Sequence, residues 1–150
     1  MTPERLFDLA TWVALPGWLL LVFLPRWRWS ARLVGSVLIP ALLGGLYLVL
    51  IVRWFGSSEG GFGSLAEVRA FFENPWLLLA GWIHYLAFDL FVGAWELRDA
   101  QRIGLHHLLV VPCLALTLMF GPVGLLLYLL LRGVVKRRIW LDEAEEETTA

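Results

Sequence analysis

PWLLLAGWIHYLAFDLFVGAWEL, residues Pro75 to Leu97, is a long apolar run with a carboxylic acid, Asp89, a few residues from its centre. About 20 apolar residues is the length that crosses a ~30 Å hydrocarbon core, so this stretch decides the class of fold. Three similar windows accompany it, at Leu6 to Leu24, Leu33 to Val52 and Leu105 to Leu131. Lipid offers no partner to a backbone amide, so each run closes its own hydrogen bonds as a helix. Runs this continuous also lack the alternation of membrane β-barrel strands. The expected fold is all-α, a polytopic membrane protein with four transmembrane helices and a short interfacial amphipathic helix between helices two and three.

Composition agrees. Of 150 residues 59% are hydrophobic, against about 45–50% in an ordinary soluble domain, and that excess cannot be hidden inside so small a globule. With 12 basic and 13 acidic residues and a net charge of -1, nothing invites nucleic acid. The single cysteine, Cys113, excludes an internal disulfide framework. The opening MTPERLFD mixes Glu4, Arg5 and Asp8, unlike the positive start of a secretory signal, and LPRWRWSARL after the first window has no small-residue cleavage pattern. Helix one is therefore expected to be retained.

Pro25 and RWRWS end that helix at an interface, where Trp27 and Trp29 suit headgroup depth and Arg26 and Arg28 reach water. Between helices two and three, Gly56 to Gly63 reads as a flexible loop. Ser64 and Glu67 then form a capping-box pattern that predicts the surface helix over Leu65 to Glu73. Asn74 and Pro75 supply an N-cap and a first-turn proline for helix three. A short turn over Asp99 to Gly104 makes helices three and four antiparallel neighbours. Pro16, Pro40, Pro112 and Pro122 all fall inside predicted spans, where proline tends to bend a helix.

Four spans put Arg5, Arg53, Arg69, Arg132, Lys136, Arg137 and Arg138 on one side and Arg26, Arg28, Arg32, Arg98 and Arg102 on the other. The Lys136–Arg138 cluster tips both termini towards the cytoplasm of a bacterial inner membrane. The domain predicted runs over residues 1–138, with an acidic, disordered tail at 139–150.

Helical spacing aligns Trp82, Tyr85, Asp89, Gly93 and Glu96 on one stripe of helix three. His84 lies roughly 140° away from Asp89 and heads a second stripe with Phe88, Phe91 and Trp95. A carboxylate at the depth of Asp89 costs about 2.5–3.5 kcal/mol on insertion scales, with no Lys or Arg level with it, so the neutral acid is the less costly state. Counting outward from a turn centred near Gln101 sets Glu96 opposite His106, Asp89 opposite Cys113 and Tyr85 opposite Thr117, to within about one helical turn. Two polar levels follow: a shallow one of Glu96, Asp99, His106 and His107, and a deep one of Tyr85, Asp89, Cys113 and Thr117. Asp89 could equally tie two helices together through a hydrogen bond. Three histidines are too few for the histidine-box pattern of membrane di-iron oxygenases, so no metal and no cofactor is expected.

WIHYLAFDLFVGAWELRDA and, further on, PCLALTLMFGPVGLLLYLLLR resemble the bacterial branch of the abscisic-acid-deficient-four-like (neoxanthin synthase-like) family, four-span membrane proteins. The resemblance is carried by Trp82, His84, Asp89, Leu90, Phe91, Asp99, Pro112, Cys113, Leu114, Gly121, Pro122 and Arg132, with LFDLATWVALPGWLLLVFLP fitting the first span. It implies carotenoid chemistry, because the plant relative is needed to turn the epoxide violaxanthin into allenic neoxanthin. Such an isomerisation delivers a proton to the epoxide oxygen and removes one from the polyene, work for a neutral acid and a base. Asp89 is the expected acid and His84 or Glu96 the base, with Trp82, Tyr85, Gly93, Asp99, His106, Cys113 and Thr117 around the substrate. The expected partner is a membrane lipid or carotenoid, with no nucleic acid and room for a homo-oligomer. The competing readings are a non-catalytic lipid- or pigment-binding or assembly protein, and a small proton-coupled transporter.

Overall fold

The structure is a computed structural model that describes residues 2–27, 29 and 36–136. Among the described residues the regular elements are all helical: α1 (Pro3–Phe23), α2 (Ile39–Trp54) with a 3-10 turn at Phe55–Ser57, α3 (Leu65–Phe72), α4 (Pro75–Arg102), α5 (His107–Phe120) and α6 (Pro122–Lys136). Three helical stretches are long and apolar enough to cross a membrane: Pro3–Phe23, Ser36–Ser57 and Pro75–Arg102. The start of the second predicted span, 33–35, and the tail at 139–150 lie outside the described residues.

Local chemistry starts α3 and α4 where expected, and α1 begins at Pro3, ahead of its predicted window. Thr2 Oγ1 accepts from the Arg5 amide ahead of α1, and Asn74 Oδ1 accepts from Trp76 N at 2.9 Å ahead of α4. Both helices carry proline in the first turn, where its missing N–H costs nothing. Ser64 Oγ caps α3 by accepting from Glu67 N at 3.2 Å. The Glu67 carboxylate reaches back one residue further than a capping box requires, accepting from Gly63 N at 3.0 Å. The glycine-rich stretch is thus not an open tether. Gly61 N also donates to Glu67 O at 3.2 Å, and Phe62 packs on Phe71 with ring centroids 5.0 Å apart.

α4 is the central helix: half of its most apolar window is buried, against 28% for the α1 stretch and 17% for the α2 stretch. α1 runs parallel to it, with Phe7 beside Trp82, Trp18 against Gly93, and Gln101 donating to Pro25 O. α2 runs antiparallel, with Tyr47 beside His84 and Trp54 stacked on Trp76 at 5.1 Å. The bundle has an entry end, around Thr2, Ser57 and Asn74, and a far end, around Pro25, Ser36 and Gln101. Close approaches are made at small residues. A Cβ on Gly17 would lie 2.8 Å from Leu90 Cδ2, and one on Gly93 2.8 Å from the Trp18 ring.

The predicted fourth span is not one helix. Leu105 to Leu131 divides at Gly121, which takes φ +41, a left-handed conformation that a residue with a Cβ rarely adopts. α5 leaves the far end and α6 folds back along it: a Cβ on Gly124 would lie 2.6 Å from Cys113 O, and Tyr128 and Arg132 return to Asp99 near the end of α4. At 1.5 Å per residue, α5 and α6 are each only about 21–23 Å long, short of a ~30 Å core. Pro122 opens α6, Pro40 stands in the first turn of α2 within the helical stretch Ser36–Ser57, and Pro16 and Pro112 lie inside α1 and α5.

α4 also overruns its predicted end at Leu97, reaching Arg102 before Gly104 turns the chain at φ 65. The turn between α4 and α5 thus falls later than Gln101.

Candidate functional site

Asp89, Glu96 and Asp99 of α4 face the α5–α6 hairpin, and the three acids meet three different environments. Asp99 is 4% exposed, and its oxygens accept from Tyr128 Oη at 2.6 Å, Arg132 Nε at 2.8 Å and Arg102 Nη2 at 2.8 Å. Charge-assisted bonds of this length are among the strong ones, and Asp99 ties the end of α4 to the returning arm of the hairpin. Glu96, one turn earlier, is fully buried: Oε1 accepts from Thr117 Oγ1 at 2.9 Å, while Oε2 has no hydrogen-bond partner among the described residues.

Asp89 lies at the tip of the hairpin. Its Oδ1 and Oδ2 would be 2.9 and 3.2 Å from a Cβ on Gly121, so only glycine lets the tip seat here. Oδ2 is buried and has no hydrogen-bond partner among the described residues. Tyr85, one turn closer to the entry end, donates from its hydroxyl to Leu118 O at 2.9 Å and so serves a carbonyl of the last turn of α5. Asp89 therefore points inward, as expected from its stripe.

A groove of about 750 Å³ runs between α1, α3 and α4 at the entry end. Phe7, Phe72, Leu78 and Trp82 wall it, Glu4 and Asp8 stand at its rim, and Tyr85 is the lining residue furthest along α4. Trp82 is fixed by stacking on Tyr85 at 5.3 Å and by donating from Nε1 to Thr11 Oγ1 at 3.3 Å. Volume and lining suit an apolar ligand, since small-molecule sites run about 300–1,000 Å³.

Several expected partners do not meet. His84, expected as a base, is exposed on the outer face, its ring 4.4 Å from Phe88 and 5.9 Å from Tyr47, on a different side of α4 from Asp89 as its angle around the helix implies. Cys113 is buried and donates to Leu109 O at 3.7 Å on its own helix, not to Asp89. Thr117 pairs with Glu96, not Tyr85. His106 is exposed at the far end, and His107 Nε2 lies 2.8 Å from Val22 O of α1. Glu96 and Asp89 thus meet residues further along the hairpin than counted, whereas Tyr85 reaches Leu118, next to its counted neighbour Thr117. Tyr128 and Arg132 were missed as site residues, although an arginine inside an apolar run is itself a signal of a buried partner. Among the described residues no group of three or more histidine, cysteine and acidic side chains could hold a metal.

Residues 5–128 match the family described as ABA DEFICIENT 4-like. The chain belongs to that family. A relative within it, "Protein ABA DEFICIENT 4, chloroplastic" of Arabidopsis thaliana, is 24% identical over 145 residues. The alignment takes in 90% of this chain and 64% of the relative, so the chain spans a little under two thirds of the relative's length. No solved structure matches. The ABA DEFICIENT 4-like match includes α4, the hairpin tip and Tyr128.

Proposed function

We propose that this chain is a multi-pass membrane protein that isomerises a carotenoid or related isoprenoid by proton transfer at Asp89. The observation that carries the reading is the carboxyl oxygen of Asp89 left without a partner beside the hairpin tip, one turn beyond an aromatic groove. An apolar chain lying along Phe7 and Trp82 would bring its polar end group towards Tyr85 and Asp89. For an epoxide, the neutral Asp89 carboxyl gives its proton to the ring oxygen as the C–O bond opens. The resulting carboxylate takes the proton from the neighbouring polyene carbon, forming the new double bond and restoring the acid. One C–H and one C–O bond break and one O–H bond forms, so no co-reactant is consumed. Glu96 sits two turns away behind Thr117 and His84 faces outward, so this reading gives the base to Asp89 itself.

The topology that accompanies this reading is three spans and a hairpin that enters and leaves on the far side, with α3 on the opposite surface. Arg5, Arg53 and Arg69 then flank the entry end, whereas Arg26, Arg98, Arg102 and Arg132, and in sequence Arg28, Arg32 and Lys136 to Arg138, belong with the far end. That excess favours a cytoplasmic far end and a translocated N-terminus, the reverse of shared termini.

The test is expression in a host that makes epoxide carotenoids, with pigment profiles and bound molecules read by mass spectrometry. Wild type should yield an isomer of unchanged mass, and Asp89→Asn should bind the pigment without converting it. Conversion at the wild-type rate by Asp89→Asn would sink the mechanism, and an unaltered profile with no bound pigment would sink the substrate class.

A further inference from the structure

A second cavity, of about 470 Å³, opens at the far end and is separate from the groove. Its polar lining consists of Arg26, Gln101, His106 and His107, all able to donate, with no carboxylate among them. Asp99, the nearest acid on α4, is already held by Tyr128, Arg102 and Arg132. The Arg26 and His106 side chains are exposed and make no hydrogen bond or ion pair with the described residues. Gln101 Nε2 donates to Pro25 O, which holds the start of the α1–α2 connection against α4 and so positions Arg26 over the cavity mouth. His107 Nε2 faces the carbonyl of Val22, and its buried Nδ1 has no partner among the described residues. The floor is apolar, formed by Leu97, Leu105 and Val110, and Leu108 at the edge is 70% exposed.

A cationic mouth over an apolar floor, at the end of a bundle where Trp27 and Trp29 lie exposed, matches a phosphate group carrying hydrocarbon chains. We infer that this cavity binds the headgroup of an anionic phospholipid, its phosphate between Arg26 and His106 and its acyl chains running down α5 past Leu108. The inference rests on the bundle spanning a bilayer, and not on the reaction proposed at Asp89.

The full chain, purified in a neutral detergent and offered equal amounts of phosphatidylglycerol and phosphatidylcholine, should retain phosphatidylglycerol preferentially by native mass spectrometry. A cation near a membrane surface is typically worth about fivefold in affinity, so Arg26→Ala should weaken retention about fivefold and Arg26→Ala with His106→Ala further. Arg5→Ala, at the entry end, should leave retention unchanged. Equal retention of the two lipids, or undiminished preference in the double variant, would overturn the inference. So would stabilisation of the chain by inorganic pyrophosphate in the absence of any by phosphatidylglycerol. If the chain still inserts into phosphatidylcholine vesicles while showing no headgroup preference, the pocket fails and the membrane reading stands.

Discussion

Replacing Gly124 with alanine distinguishes a hairpin from a single span by the sign of its effect. In an uninterrupted helix the substitution would stabilise by about 0.8–1.0 kcal/mol, the difference in helix propensity. In the hairpin, α6 lies so close on α5 that the new methyl would meet the Thr117 amide nitrogen and hydroxyl and sit 2.6 Å from Cys113 O. Two of those three atoms are backbone and cannot rotate away, so the helices must separate. Overpacking of this kind costs about 1–3 kcal/mol. Separation also pulls Thr117 from Glu96, a 2.9 Å bond whose loss leaves a fully buried carboxyl with neither oxygen partnered. With about 1 kcal/mol for that lost bond offsetting the propensity gain, the net expected is a loss of about 1–3 kcal/mol. The measurement is reversible unfolding of the full chain in mixed micelles of mild detergent and SDS, followed by the fluorescence of its nine tryptophans. Gly44→Ala is the internal standard, because nothing lies within 4 Å of its Cβ position in α2, and it should be neutral or stabilising by up to about 1 kcal/mol. Should Gly124→Ala move stability in the same direction as Gly44→Ala, the hairpin is wrong.

Other substitutions and fusions probe the same arrangement. Asp99→Ala removes the shared acceptor of three donors and should cost about 3–5 kcal/mol in that unfolding assay, whereas Arg132→Met leaves Asp99 its bonds to Tyr128 and Arg102 and should cost less, about 1.5–3 kcal/mol. The reverse order would show that Asp99 is not the centre of the cluster. Gly121→Ala meets both a left-handed backbone, about 1–2 kcal/mol, and the Asp89 carboxyl 2.9 Å away, so its cost should fall in an Asp89→Ala background to the backbone part alone. Equal costs in both backgrounds would remove Asp89 from the tip. Reporters fused before Thr2 and after the tail should lie on opposite sides of the membrane, and two reporters on one side would restore four full spans.

The apolar windows and the caps at Asn74 and Ser64 were legible because they depend on composition and on residues within one turn of each other. The inward direction of Asp89 was legible for the same reason, since steps of three and four along α4 fix its stripe before any partner is known. The hairpin was not. Hydropathy weighs Leu105 to Leu131 identically whether it is one helix or two folded together, and Gly121 with Pro122 reads as a kink inside a span as readily as a stop followed by a start. That ambiguity propagates to Asp99. With a single span, Tyr128 and Arg132 sit a full membrane thickness from it, and only a reversal at Gly121 brings them to 2.6 and 2.8 Å. The overrun of α4 from Leu97 to Arg102 hid the register in the same way, because Arg98, Asp99 and Arg102 look like a solvated boundary until Asp99 acquires buried partners from α6.

A reversal of the chain beside the middle of α4 explains why polar side chains stand on an otherwise apolar helix. The last carbonyls of α5 and the first amides of α6 have no helical partner of their own, and hydrocarbon supplies none. Tyr85 meets part of that need by donating to Leu118 O. A carboxyl kept only to hold the tip should have its oxygens engaged as those of Asp99 are. Asp99 accepts from three donors and is a structural anchor, whereas Asp89, on the same helix, keeps an oxygen buried and unpartnered among the described residues beside Gly121. The two acids should therefore separate under substitution: Asp99→Asn lowers stability by weakening the anchor, while Asp89→Asn, isosteric and losing no bond through Oδ2, leaves folding nearly unchanged and abolishes turnover. If Asp89→Asn instead unfolds the chain as Asp99→Asn does, the carboxyl at the tip is an anchor too, and the proton chemistry assigned to it has no residue to perform it.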